Sequence, residues 1–520
     1  MAAPLLPTSA LRADVLARAL DARDVRFDGA FFVGITTTRI YCRPVCPARV
    51  SDHSRRRFFV SAAAAERAGF RPCLRCRPEL APGRARVDAL SRLAHAAAQR
   101  IAAGALNGRR VADLARDLGV SERHLRRALE EEVGASPLEL AQTHRLLLAK
   151  RLLADTVLPV TQVAYASGFQ SLRRFNTTFR EQYRMSPSAL RRVAPVRRRT
   201  SDDPSEDTPL RLTLAYRPPF AWAALLAFLG REAVEGAELV SGGRYARTIE
   251  IDGWRGVVCV EDAGRPAGGR PAPRGRPGGA PSRARTHLNV DVSPSLVPVL
   301  MPLLARFRHL LDLDAEPAAI DAHLASSGLG ALVERCPGMR LPGAIDGFDI
   351  VLRVLLGRRA AGRVAHAVGT PFQSAQAGLD RILPDAGRVV EAGPARLARL
   401  GVPRRRAEAL ALIARQVADG ALRLEHGSSV AATRRALSEV SGVGKRTASA
   451  IVMRALDWPD AFPAEDRALQ RAAGVTTARA LLARAEPWRP WRAYAALHLW
   501  ARHGVDTRGV AFEENRRSSV

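Results

Sequence analysis

The chain has 520 residues, 47% of them hydrophobic, and carries 80 Lys and Arg against 51 Asp and Glu, for a net charge of +29. That length suits roughly two to four domains with separate cores, and the charge calls for a polyanionic partner, DNA or RNA by default. No apolar run approaches the roughly 18 residues of a membrane span, residues 1–19 lack the pattern of a secretion signal, and six cysteines are too few for a disulfide framework. The expectation is a cytoplasmic protein with no membrane partner. Lys150 and Lys445 are the only lysines, a bias that genome base composition explains. It does not explain the excess of cations.

The first segment, residues 1–82, holds Cys42 and Cys46 three residues apart and Cys73 and Cys76 two residues apart, with twenty-six residues between the pairs. Two short-spaced pairs bring four thiolates to one tetrahedral ion, so one Zn2+ is expected. Arg39, Arg43, Arg49, Arg71, Arg75 and Arg77 surround them, which turns the site towards nucleic acid. Residues 29–38 and 58–60 read as strands and 61–68 as a short helix capped by Ser61. With few large apolar residues, a domain this small needs its metal to fold.

The runs Thr37-Thr38-Arg39-Ile40-Tyr41-Cys42-Arg43-Pro44-Val45-Cys46 and Gly69-Phe70-Arg71-Pro72-Cys73-Leu74-Arg75-Cys76 resemble the N-terminal domain of the Ada adaptive-response proteins. The resemblance implies that Cys42 is both a zinc ligand and the irreversible acceptor of a methyl group from a DNA methylphosphotriester. Cys46, Cys73 and Cys76 complete the shell, with Arg43 and Arg71 on the DNA side. A purely structural zinc site is the alternative that the residues alone allow.

Residues 85–195 read as helical. Val111, Leu114, Ala115 and Leu118 share a face, Gly119 turns the chain, and Ser121 caps a helix carrying Arg123, Arg126 and Arg127. A second unit runs through Val160 and Val163 to Gly168, and Ser171 opens a helix with Arg173 and Asn176. Two helix-turn-helix units closing on Phe179-Arg180-Glu181-Gln182-Tyr183-Arg184-Met185-Ser186-Pro187 resemble the AraC-type regulator domain. That implies double-stranded promoter DNA and RNA polymerase as partners.

After a linker, residues 196–209, an α+β domain follows (residues 210–294). It has strands near 210–216, 245–251, 254–260 and 287–290, a helix at 221–228, and a basic, disordered insertion at 262–285. Residues 295–505 read as helical and 506–520 as a tail. Within the helical part, Gly442-Val443-Gly444-Lys445-Arg446-Thr447 has the form of a helix-hairpin-helix whose amides hold a DNA phosphate. Asp466 lies twenty-two residues after Gly444. Together with Tyr216-Arg217-Pro218-Pro219, Arg340-Leu341-Pro342-Gly343 and Trp488-Arg489-Pro490-Trp491-Arg492, this resembles 3-methyladenine DNA glycosylase II of the AlkA type, in the helix-hairpin-helix superfamily.

The resemblance implies that Asp466 stabilises the oxocarbenium-like sugar while an N-alkylated purine leaves, with no cofactor. Arg446 stands where strand-cutting relatives carry a Schiff-base lysine, so hydrolysis without lyase chemistry is expected. The family pattern has aromatics at Arg446 and Ala450 and a glutamine at Arg358. Stacking on the flipped base is therefore expected from Trp222 or Tyr245. No Pro-Cys-His-Arg string occurs, and Cys259 and Cys336 read as core or incidental.

The expected fold is thus multidomain and mainly α with small α+β parts. A zinc-bound α+β domain leads, an all-α double helix-turn-helix domain and a small α+β domain follow, and an all-α helix-hairpin-helix glycosylase domain closes the chain. The expected function is a response to DNA alkylation that joins a stoichiometric methyltransferase and transcriptional activator to a glycosylase. Alternatives are a glycosylase whose N-terminal domains serve only for targeting, and a regulator with an inactive glycosylase half. Promoter sequence, the range of bases excised and oligomeric state are not readable from the sequence.

Overall fold

The computed structural model describes residues 13–48, 53–83, 92–193, 208–263, 286–425 and 427–502. Arg49, the tail, and most of the expected linker and basic insertion lie outside the described residues.

At the N-terminus the strands Phe32–Ile35, Ile40–Cys42, Arg56–Phe59 and Arg71–Pro72 form a four-stranded sheet, with Phe32–Ile35 paired antiparallel to both Ile40–Cys42 and Arg56–Phe59. The threonines expected to extend the first strand form a turn instead, closed by Arg39 N–H donating to Ile35 O at 2.9 Å with Arg39 at φ +53. Ser61 caps the helix Ala62–Arg67, accepting from Ala64 N.

Both helix-turn-helix units form where the pattern puts them. Val111–Asp117 pairs with Glu122–Val133, and Val160–Ala166 with Leu172–Tyr183, and Ser121 and Ser171 cap the second helix of each unit. Between them lies the helix Pro137–Asp155, opened by a capping box of Ser136 and Glu139. It buries Leu140, Ala141, Leu146, Ala149, Leu152 and Leu153, and also Thr143, Lys150 and Arg151. From Thr143 to Asp155 no side chain of this helix is exposed, so that stretch is enclosed by other elements, and here they come from three modules.

The five strands Leu210–Ala215, His287–Val292, Trp254–Asp262, Arg244–Ile251 and Glu238–Ser241 form one antiparallel sheet in that spatial order. Its core runs on into the helix Leu300–Leu310 and joins the second helix-turn-helix unit through Leu152, Phe175 and Phe179. The C-terminal helices share a second large core from Ile320 to Trp500. One departure from the all-helical expectation is a two-residue ladder, Thr370–Pro371 with Arg381–Ile382. Gly369 closes the preceding helix and Pro371 cannot continue one. Leu379 then bridges to Gly236, so this hairpin leans on the sheet.

Sheet and helices are also joined by buried charge. Arg353 of the helix Gly347–Val368 reaches Glu238 at 2.8 Å, and Arg247 reaches Asp349 of the same helix at 3.0 Å. Tyr245 donates to Glu238 at 2.5 Å. Burial would raise the Glu238 carboxyl, but Arg353 and Arg247 hold it at about 2. Removing one partner leaves an uncompensated buried charge, so Arg353→Met is expected to cost about 3–5 kcal/mol in urea unfolding. Because the folded value lies below the ordinary 4.5, the wild-type contribution is full above pH 4.5 and fades as pH falls towards 2. In Arg353→Met that acid-side loss is expected to shrink.

Candidate functional site

The four cysteines converge. Cys42 ends a strand, Cys46 follows through a turn in which its N–H donates to Arg43 O, and Cys73 is placed by its N–H donating to Tyr41 O at 3.0 Å. All four are buried, and their sulfurs lie within 4.8 Å of one another. Tetrahedral zinc with Zn–S near 2.3 Å requires S···S of about 3.8 Å, a separation this cluster accommodates. The donor set is all thiolate, which suits zinc, and one zinc is held by Cys42, Cys46, Cys73 and Cys76.

Backbone amides treat the sulfurs unequally. Arg43 N–H donates to Cys76 Sγ at 3.4 Å, Arg75 N–H to Cys73 Sγ at 3.3 Å, and Ala48 N–H to Cys46. Among the described residues, no backbone N–H is recorded on Cys42 Sγ.

Of the arginines expected to face DNA, Arg43 is folded inward. Its guanidinium grips Asp28, itself 3% exposed, and donates to Cys76 O at 3.2 Å. Arg43 therefore braces the metal loop, and this corrects its expected DNA-facing role. Arg71 is half-buried on the strand Arg71–Pro72, and Arg75 is exposed. On the helix-turn-helix units Arg123, Arg127 and Arg173 are exposed, Asn176 is half-buried, and Arg126 donates to Glu122 at 2.9 Å.

A polar seam that sequence reasoning missed joins the metal domain to the helix Pro137–Asp155. Thr143 donates to Glu66 at 2.6 Å, and Tyr41, beside Cys42, donates to the other oxygen of Glu66 at 3.0 Å. Burial pushes Glu66 up to about 7, against the two hydrogen bonds and the charge of Lys150. Lys150 pairs with Glu79 and donates to Cys73 O at 3.4 Å, and Arg77 makes a two-pronged bond to Asp155 at 2.7 and 2.8 Å. A signal was present: one of two lysines, set in the apolar run Leu146-Leu147-Leu148-Ala149-Lys150-Arg151-Leu152-Leu153, must have a partner.

In the C-terminal half, the helices Val430–Glu439 and Lys445–Ala455 form the hairpin. Gly442 has φ +92, and a Cβ there would press on Arg405 O at 3.1 Å, so the turn requires glycine. Gly444 caps the second helix without a side chain, leaving its first amides for another acceptor. Lys445 is exposed, Thr447 is buried and Arg446 lies between. Asp466 is 1% exposed and caps the helix Arg467–Ala472, with Oδ1 accepting from Leu469 N at 2.9 Å. Its Oδ2 lies 3.3 Å from Arg446 Nε. Glu465 points outward. Hairpin and carboxylate meet through the Arg446–Asp466 pair.

The expected stacking residues lie elsewhere. Tyr245 is wholly enclosed, with its hydroxyl on Glu238, and Trp222 is buried with its indole N–H on Gly243 O at 3.1 Å. Both belong to the sheet's core. The residues flanking Asp466, Ala464 and Leu469, belong to the other. This corrects the assignment of Trp222 and Tyr245 to the base pocket: aromatic residues were matched to a role by type, and both side chains are committed to packing.

Fold and sites together define a multidomain protein that joins a four-cysteine metal domain and paired helix-turn-helix units to a helix-hairpin-helix module with a buried carboxylate. The comparisons agree segment by segment. Residues 16–79 match the metal binding domain of Ada, 114–193 a helix-turn-helix domain, and 211–346 the AlkA N-terminal domain. A "Probable bifunctional transcriptional activator/DNA repair enzyme AlkA" of Mycobacterium tuberculosis is 37% identical over 496 residues, 93% of this chain and 95% of its own. The chain belongs to the family of these bifunctional activator and repair proteins. Escherichia coli DNA-3-methyladenine glycosylase 2 is 32% identical over 302 residues, 56% of this chain and 97% of its own. The Escherichia coli "Bifunctional transcriptional activator/DNA repair enzyme Ada" is 44% identical over 75 residues, 14% of this chain and 21% of its own.

A domain with so small a core should depend on its ion. Chelation is expected to unfold the N-terminal sheet and expose four titratable thiols while the C-terminal core stays folded, because metal binding of about 10–16 kcal/mol is coupled to folding in such domains. Thiol titration with amide hydrogen exchange across residues 16–79 checks this.

Proposed function

We propose that the chain answers DNA alkylation in two ways, as a single-use sensor and activator and as a glycosylase. The proposed division of labour places the sensor in residues 1–82, promoter binding in 85–195, and excision in 210–505. Its partner is double-stranded DNA, alkylated or promoter, and activation proceeds through RNA polymerase.

Zinc bound by the four cysteines keeps them ionised at neutral pH. The Cys42 thiolate attacks the methyl carbon of a methylphosphotriester. The methyl C–O bond breaks, its electron pair stays on the phosphate oxygen, and a phosphodiester and a thioether result. Cys42 is the acceptor because hydrogen bonds from Ala48, Arg43 and Arg75 draw charge from the other three sulfurs. Arg43 holds the loop, and exposed arginines such as Arg75 meet phosphate.

In the excision half, the hairpin amides beyond Gly444 hold the backbone phosphate without reading sequence. The buried Asp466 carboxylate stands beside C1′ of the flipped nucleotide. As the C1′–N bond breaks and its electron pair leaves with the base, Asp466 stabilises the positive sugar and positions the water that adds to it. Arg446 stays protonated and forms no Schiff base, so the strand is left intact. The observation that carries this half is a carboxylate buried to 1% exposure at the mouth of a hairpin.

Two measurements test the two halves. Asp466→Asn is expected to lower 3-methyladenine release by roughly a hundredfold to a thousandfold, the usual worth of one preorganised electrostatic group, with thermal unfolding showing that the fold survives. Peptide mapping of zinc-loaded protein after exposure to methylphosphotriester DNA is expected to place one methyl on Cys42. A methyl on another cysteine, or on none, removes the sensor assignment.

A further inference from the structure

The helix Arg92–Ala102 opens the helix-turn-helix region, and one stripe of it lies against the glycosylase half. Arg92, Ala96 and Arg100 recur every fourth residue, so they share a face. The Arg92 guanidinium sits 4.6 Å from the centre of the Trp458 ring. Ala96 is buried, and a Cβ on Gly427 would lie 2.7 Å from its own. Arg100 pairs with Glu425 at 3.2 Å. A fourth tie comes from the next helix, where Asp117 O accepts from Arg423 at 3.0 Å. These contacts fall at the two outer ends of the hairpin. Gly427 comes just before its first helix, Val430–Glu439, which Ser429 caps. Trp458 comes just after its second, Lys445–Ala455, and is tied to it by its N–H donating to Met453 O at 3.1 Å. The turn at Gly442 and Gly444 lies at the opposite end of both helices.

We propose that Arg92, Ala96 and Arg100 are positioning residues for excision: the first helix of the regulator clamps the base of the hairpin and fixes the angle at which its amides meet the DNA phosphate. This rests on the glycosylase reading above. A helix of this length spans about 16 Å, so a tilt of ~10° at the base carries the turn by ~3 Å. An N–H···O bond tolerates roughly half an ångström. The contacts suit the task. The Arg100 side chain is 13% exposed and that of Glu425 66%, so their pair adds little stability, but it sets register. A cation held over the face of a half-buried ring resists sliding. Gly427 has φ +87 and brings the loop close enough to pack on Ala96, where any side chain would prise the halves apart. A phosphate is held alike before and during bond breaking, so a misplaced hairpin weakens KM and spares kcat.

The test uses the full zinc-loaded chain and a duplex carrying one 3-methyladenine. In Arg100→Glu, KM is expected to rise by roughly threefold to tenfold, the scale of trading a part-exposed ion pair for a like-charge contact, with kcat held within about twofold. Glu425→Arg adds positive charge, which by general attraction would tighten DNA, yet it is expected to raise KM as well. Combining the two substitutions is expected to restore KM. Arg92→Ala is expected to raise KM by a similar factor, and Arg92→Lys, which keeps a cation over the ring, to recover most of it. A KM that does not move, a loss in kcat instead, a Glu425→Arg protein that only tightens DNA, or a double variant no better than the single ones would overturn the proposal. If wild-type protein releases no 3-methyladenine and matches Asp466→Asn, the glycosylase reading falls. The clamp is then decided by hydrogen exchange at residues 442–447 with undamaged duplex: protection weakened in Arg100→Glu and recovered in the double variant upholds it, and equal protection in wild type and both variants overturns it.

Discussion

The ammonium of Lys150 and the carboxylate of Glu79 face each other where neither reaches water, with side-chain exposures of 3% and 2%. Each charge is tolerable there only because the other is present. The pair pins the metal domain onto the helix Pro137–Asp155 in one register. Around it, Arg77 reaches Asp155, Thr143 reaches Glu66, and Arg151 reaches Thr213 O on the sheet. Gln182, on the second helix-turn-helix unit, donates to Phe70 O in the metal domain at 3.2 Å. One helix thus touches the metal domain, the DNA-binding domain and the sheet, and side chains that are usually solvated do much of the fastening.

Local chemistry made much of the architecture legible. Four cysteines at metal-ligand spacing, serines at 121 and 171 opening two apolar-periodic helices, and a Gly-Val-Gly turn each specify a conformation within a few residues. Gly442 illustrates why: its φ and its contact with Arg405 O leave no other residue comfortable. The strand and helix assignments fail where neighbours decide instead. Thr36, Thr37 and Thr38 have the branching of strand residues, yet the chain must reverse there to pair Ile35 with Ile40. The short ladder at Thr370–Pro371 forms because Gly236 offers it a partner across 133 positions or more of sequence, as the bond from Thr248 to Arg381 O also shows.

The sites divide in the same way. Cys42, Cys46, Cys73 and Cys76 were identifiable because holding zinc requires one residue type at a set spacing, and the position of Asp466 beside the hairpin follows from its distance to a local motif. Arg43 was misjudged because charge near a metal says nothing about direction, and Asp28 captures it. Trp222 and Tyr245 were assigned by aromaticity alone, whereas their places follow from polar partners, Gly243 O and Glu238, that no local pattern reveals. The pairing of Arg446 with Asp466 spans two helices and belongs to the same class of information.

The welded seam between sensor and regulator has a consequence over time. On the proposed methyl transfer, the thioether at Cys42 is not reversed by the thiolates around it, so each molecule registers damage once. Because the sensor cannot be exchanged without discarding the chain that carries it, the spent molecule keeps its excision half. The cell then holds a record of past exposure that is still a working repair tool, and growth and fresh synthesis clear that record by dilution. Signal and remedy share one lifetime.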